Sequence, residues 1–105
     1  PQLILISAGF DAHMNDPLAG MRLTGPYFGH LTSAIAAVAE DCCEGRVVAV
    51  TEGGYDLAAL AESLRASIRA LDGDTKGFAA PTGESPRGEA TVKAVLPHVR
   101  DRWKL

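Results

Sequence analysis

Two short stretches carry residue types that can do chemistry. The first is Ser7-Ala8-Gly9-Phe10-Asp11-Ala12-His13, continued by Met14-Asn15-Asp16-Pro17-Leu18. The second is Glu52-Gly53-Gly54-Tyr55-Asp56. Asp11 and His13 stand two residues apart, and an extended backbone points such a pair the same way. Carboxylate and imidazole both ligate zinc. The alternative is that Asp11 makes turn hydrogen bonds while His13 sits in solvent, and spacing alone leaves both readings open. Asp16, next to Pro17, reads as a stabiliser of its own turn. The Tyr55 phenol can donate a hydrogen bond to a developing oxyanion, or it can be a packed aromatic with its hydroxyl at the surface. Gly53 and Gly54 can bring backbone close to a ligand, or simply make a tight turn. They are too short a motif for a dinucleotide fingerprint. His30 and His98 read as surface or interhelix residues.

These stretches need elements to hold them. Leu3-Ile4-Leu5-Ile6 and Val47-Val48-Ala49-Val50 are apolar runs without alternation, which suits strands covered on both faces of a parallel sheet. After the first run, Thr24 can cap a helix with Pro26 in its first turn. Its apolar positions are Tyr27/Phe28, Leu31, Ile35, Val38 and Cys42, and Gly45 ends it. After the second run, Asp56 caps a helix striped by Leu57, Leu60, Leu64, Ile68 and Leu71, which Gly73 stops. Loops at the carboxyl ends of parallel strands line the ligand crevice. Both chemical stretches are therefore expected to face one crevice, at the top of a β-loop-α-β-loop-α core spanning residues 1–72. Residues 73–88 are rich in Gly and Pro and read as a loop. Residues 89–105 read as a last amphipathic helix, with Val92, Val95/Leu96, Val99 and Trp103 on one side and a kink or break at Pro97.

Composition narrows the function class. The chain has 105 residues, 47% hydrophobic, so it can build a core. A net charge of −3 offers no broad attraction to nucleic acid or to an anionic membrane. The charge is uneven: residues 1–72 hold four Lys/Arg against nine Asp/Glu, and the remainder six against four. No apolar run is long enough to span a bilayer. Adjacent Cys42 and Cys43 suit neither a zinc knuckle nor a mutual disulfide. They read as small packing residues in a reducing compartment, and the expected location is cytoplasmic. Two strands buried on both faces leave a sheet uncovered, so the chain reads as a piece of a larger α/β protein.

At these same residues the chain resembles the zinc-dependent deacetylases of the histone deacetylase superfamily. The likeness is strongest to the branch with acetoin-utilisation proteins and histone-deacetylase-like amidohydrolases. It runs through Leu3-Ile4-Leu5-Ile6-Ser7-Ala8-Gly9-Phe10-Asp11-Ala12-His13, then Asp16-Pro17-Leu18, Leu23-Thr24, and Glu52-Gly53-Gly54-Tyr55-Asp56-Leu57. The resemblance implies the C-terminal portion of an arginase- and deacetylase-like three-layer α/β sandwich with a mostly parallel sheet. It makes Asp11 one of three zinc ligands, the other two and a proton-handling histidine pair lying upstream. It makes His13 a non-ligand, against the spacing argument. Tyr55 would be the catalytic tyrosine, Leu18 a residue on the rim of the acyl-lysine tunnel, and Gly53 and Gly54 the backbone wall of that tunnel. Leu18 is uncharged, whereas polyamine-selective relatives place an acidic residue there. The implied cofactor is Zn2+. The implied partners are an acetylated lysine side chain, or an acetylated polyamine or small amide, and the remainder of the deacetylase domain. The implied reaction is hydrolysis of that linear amide, with this piece inert alone. The competing expectation is a non-catalytic α/β fragment or interaction module.

Overall fold

The computed structural model describes residues 1–78 and 83–103. Five elements follow in order: strand β1 (Ile4–Ala8), helix α1 (Gly25–Cys43), strand β2 (Val47–Thr51), helix α2 (Leu57–Leu71) and helix α3 (Pro86–Trp103). β1 and β2 pair in parallel, from Ile4 opposite Val47 to Ala8 opposite Thr51. The ladder continues past the strands, where Glu52 N–H donates to the Ala8 carbonyl at 3.0 Å and Phe10 N–H to the Gly53 carbonyl at 2.7 Å. The two loops therefore leave the sheet already joined.

Helix ends follow local sequence. Thr24 stands at the N-cap of α1 with extended backbone, but its side chain makes no capping bond. The left-handed turn that closes α1 falls on Glu44 and continues into Gly45. Asp56 caps α2 by accepting from Ala59 N–H at 2.7 Å. Gly73 leaves α2 with φ of +82°, and two bonds close the turn: Gly73 N–H to Ala70 and Asp74 N–H to Arg69. This double closure is the Schellman arrangement. Arg69 then clasps Asp74 through Nε and Nη2 at 2.9 and 2.8 Å and lies 5.1 Å over the Phe78 ring. Residues 74–78 are thus folded back on α2 rather than trailing from it. Residues 79–82 of the expected loop, and the Trp103 side chain, lie outside the described residues. α3 begins at Pro86 and continues through Pro97 without a break.

The packing face of α2 differs from expectation. The buried residues are Ala59, Ser63, Ala66, Ser67 and Ala70, while Leu57 is 81% exposed and Ile68 57% exposed. Small side chains let α2 lie close against α1, whose buried residues include Gly25, Phe28, Gly29 and Thr32. The apolar stripe therefore faces elsewhere. Leu64, Ile68 and Leu71 line a cavity of about 370 Å³ between the helices and the sheet, together with Ile6, Ile35 and Ala49. α1 shows the same offset, since Cys43 is buried while Cys42 and Val38 are exposed. Both cysteines are free, and only Cys43 is a packing residue. β1 and β2 expose Leu5, Val48 and Val50, although their sequences read as strands covered on both faces.

Candidate active site

The first loop is closed on itself, with Phe10, His13 and Asp16 buried beneath exposed neighbours. Met14 N–H donates to Leu23, and Leu23 N–H donates back to Ala12, so residues 12–14 pair with Leu23. Phe10 is buried under the loop and meets Phe28 of α1 edge-on, with ring centroids 5.3 Å apart. His13 is only 3% exposed. Its Nδ1 accepts the Asn15 N–H at 3.1 Å, and its Nε2 lies 3.8 Å from a Glu62 carboxylate oxygen on α2. The solvent reading of His13 is thereby corrected: burial under the loop and the Asn15 bond make it a structural residue of the turn. An Nδ1 that accepts a backbone bond is not free to bind a metal, and Nε2 faces α2.

Asp11 lies in the turn directly after β1 and is half-buried. Its carboxylate rests against the backbone of the second loop. A Cβ built on Gly53 would stand 2.9 Å from Asp11 Cγ and 3.0 Å from Oδ1. Gly9 borders the same carboxylate, where a Cβ would stand 2.9 Å from Oδ1. Side chains larger than hydrogen at either position would push the carboxylate away. Gly54 has φ of +143°, a conformation that L side chains rarely adopt. Its backbone turns the chain between Phe10 and Leu60 and delivers Tyr55 to the crevice edge. Tyr55 is 60% exposed, and Leu18 is exposed as well.

One residue that sequence reasoning confined to its own turn connects the two loops. Asp16 is buried, at 8% exposure. Its Oδ1 accepts the Leu18 N–H at 3.0 Å, which is the expected local turn bond. Its Oδ2 accepts the Tyr55 N–H at 2.7 Å, from 39 residues away. Burial pushes the carboxyl up, but the N–H groups of Tyr55, Leu18, Asp56 and Ala19 outweigh it and hold Asp16 below the usual aspartate range. The structure thus gathers Asp11 with Gly53, and Leu18 with Tyr55, into one rim at the carboxyl end of the sheet. An acceptor with two oxygens five residues after Asp11 was the sequence signal. Nothing in the sequence names a partner so distant.

The histone deacetylase domain family matches residues 1–71. This chain belongs to the histone deacetylase family. Over 74 residues it is 46% identical to a protein of Oryza sativa subsp. japonica named histone deacetylase 10, chloroplastic, covering 70% of this chain and 17% of that one. It is also 46% identical over 74 residues to the human polyamine deacetylase HDAC10, covering 70% of this chain and 10% of that one. The crystal structure of the HDA15 HD domain superposes with a TM-score of 0.78 at 32% identity, over 97% of this chain and 26% of that chain. The histone deacetylase Clr3 superposes at 0.77 and 30% identity, over 90% and 15%. The chain therefore spans less than a fifth of these curated relatives, and its α/β unit is part of the deacetylase-type sandwich.

Asp11 offers carboxylate oxygens of a type zinc accepts, half-exposed at the rim and braced by glycine backbone. Among the described residues, no three His, Cys, Asp or Glu side chains gather into a metal cluster. The chemistry of the Asp11 carboxylate is compatible with one corner of a zinc site, and the described residues alone do not supply the other corners. No helix among the described residues is long and apolar enough to cross a membrane.

Proposed function

We propose that the intact protein is a zinc-dependent deacetylase that hydrolyses an acetylated amine, with this chain as the C-terminal portion of its single catalytic domain. The substrate class is an acetyl-lysine side chain or an acetylated polyamine or related small amide. The observation that carries the reading is the meeting of the two loops: the Asp11 carboxylate packs on Gly53, two residues before Tyr55. In a family of deacetylases, that supports reading Asp11 as an oxygen ligand and Tyr55 as a phenol donor on one rim.

Each residue has a role that its surroundings support. Asp11 would hold the metal, with the remaining ligands supplied by the rest of the domain. The chemistry that zinc supplies when bound is polarisation of a carbonyl and activation of water. Tyr55 would donate its O–H to the acetyl oxygen as that oxygen gains charge. Its exposure leaves the phenol free to meet a substrate. Leu18 would stand at the tunnel rim, where an uncharged side chain gives no attraction to a polyamine cation. Gly53 and Gly54 would form the wall, admitting a narrow acyl chain because they carry no side chain. The exposed apolar residues of the sheet and of α2, among them Leu5, Val50, Leu57 and Ile68, would be covered by the remainder of the domain. Free cysteines suit a reducing compartment such as the cytoplasm.

The test is Tyr55→Phe in the full-length protein, assayed on acetyl-lysine peptides and acetylated polyamines. Loss of one oxyanion donor costs about 10²–10³ in kcat. Zinc content should be unchanged and KM should move less than kcat. A variant within about threefold of the parent's kcat would return Tyr55 to a surface aromatic and the chain to a non-catalytic module.

A further inference from the structure

We infer that Asp16 is a positioning residue: its buried carboxylate holds the main chain of Tyr55 and so sets where the phenol reaches. The inference rests on the deacetylase reading for the role of Tyr55. It rests on geometry for everything else.

Tyr55 follows a segment that cannot place itself. Gly53 and Gly54 have no side chains to pack, and Gly54 turns at a φ that glycine tolerates freely. On the N-terminal side, the Gly53 carbonyl is tied to Phe10 N–H. On the C-terminal side, Asp56 is tied to α2 by its cap on Ala59. Between them, the Tyr55 N–H has one side-chain acceptor, Asp16 Oδ2, at 2.7 Å. This short bond to an ionised acceptor is stronger than a neutral one. It is also shielded, because Asp16 is buried.

The same carboxylate uses its other oxygen on Leu18. Asp16 therefore references the Tyr55 backbone to the Leu18 backbone, one from each loop. A carboxylate is required for this. Two N–H donors converge on two acceptor oxygens, and an asparagine would set its own NH2 against one of them. The Asp16→Asn change keeps size and shape but offers the Tyr55 N–H either a donor or a neutral oxygen in place of the ionised one, so in both orientations it weakens the hold on Tyr55 without emptying the site.

The experiment uses the full-length protein and two readouts. The first is hydrogen exchange at the Tyr55 amide, read by selective 15N-tyrosine labelling. Asp16→Asn should speed Tyr55 exchange at least about tenfold, since loss of the bond opens that amide. Exchange across α2 should stay unchanged. The second readout is kcat and KM for the parent, Asp16→Asn, Tyr55→Phe and the double variant. Misplacing a reacting group by about 1 Å can cost 10²-fold, so Asp16→Asn should lower kcat by about 10- to 100-fold with zinc content retained. In the Tyr55→Phe background the same change should cost less than about twofold, because the donor it positions is already gone. An equal loss in both backgrounds, or Tyr55 exchange unaltered by Asp16→Asn, overturns the inference. Failure of the deacetylase reading shows separately, as a Tyr55→Phe single variant with unchanged kcat. If Asp16→Asn does not fold, Asp16→Glu keeps both oxygens one methylene further out, and the same two readouts decide.

Discussion

Replacing Gly53 by alanine tests whether the two loops are fitted to each other at the level of one methyl group. The backbone of Gly53 does not lie in the left-handed region, so alanine is not excluded by conformation. The effect must come from contact. The added Cβ would stand 2.9 Å from Asp11 Cγ, 3.0 Å from Oδ1 and 3.3 Å from Oδ2, where ordinary contact begins at 3.4 Å. The carboxylate would have to retreat by about 0.5 Å. Metal–ligand distances tolerate about ±0.2 Å. Asp11 would therefore hold its oxygen outside bonding range or drag the loop with it. Neighbours that misplace a ligand typically cost 10- to 100-fold in metal affinity. That is about 1.4–2.7 kcal/mol. The assay is competition for zinc between the full-length protein and a chelator, with Gly83→Ala as control because no described residue lies within 4 Å of a Cβ there. Gly53→Ala should weaken zinc binding by that factor and Gly83→Ala should leave it alone. Zinc affinity within about threefold of the parent for Gly53→Ala would refute the fitted-loop argument and detach Asp11 from the metal.

Two further predictions follow from groups away from the rim. Ser63 is fully buried on α2, and its Oγ has no hydrogen-bond partner among the described residues. Ser63→Ala removes that unpaired hydroxyl and should raise stability by about 1 kcal/mol, read as a higher denaturant midpoint at unchanged slope. A lower midpoint would mean that the hydroxyl finds a partner in the intact domain. Asp74 is held below the usual aspartate value, first by the Arg69 side-chain bond and then by the Lys76 N–H. A depressed carboxyl contributes stability above its unfolded pKa of about 3.9, and loses it as pH falls through the lower folded value. Asp74→Asn should therefore destabilise the protein at pH 7 and flatten the fall in stability below about pH 4. Parallel pH–stability curves for the two proteins would exclude this role for the Arg69–Asp74 pair.

Local chemistry was legible in the sequence wherever a residue acts on its own neighbours. Asp56 as an N-cap, Gly73 as the helix stop, and both strands were readable because capping and strand patterning involve residues a few positions apart. The parallel pairing was readable too, since a helix lies between two apolar runs. The family likeness lay in the order and spacing of Gly9-Phe10-Asp11, Asp16-Pro17-Leu18 and Gly53-Gly54-Tyr55, which linear sequence preserves. Tertiary structure decided the rest. The stripe of Leu57, Leu60, Leu64, Ile68 and Leu71 announced a packing face, but α1 selected the alanine and serine side of α2 because small residues allow closer helix contact. Periodicity shows that faces differ, not which face meets which neighbour. Spacing left His13 open as a metal ligand or a solvent residue and the family likeness made it a non-ligand, but only the fold showed it buried with Nδ1 accepting the Asn15 N–H. Asp16 looked like a turn residue, and it is one. Its second oxygen reaches Tyr55 because parallel pairing of β1 and β2 aligns two loops 39 residues apart in the chain. A contact of that range leaves no local periodicity to read. It exists only once the sheet has set the register.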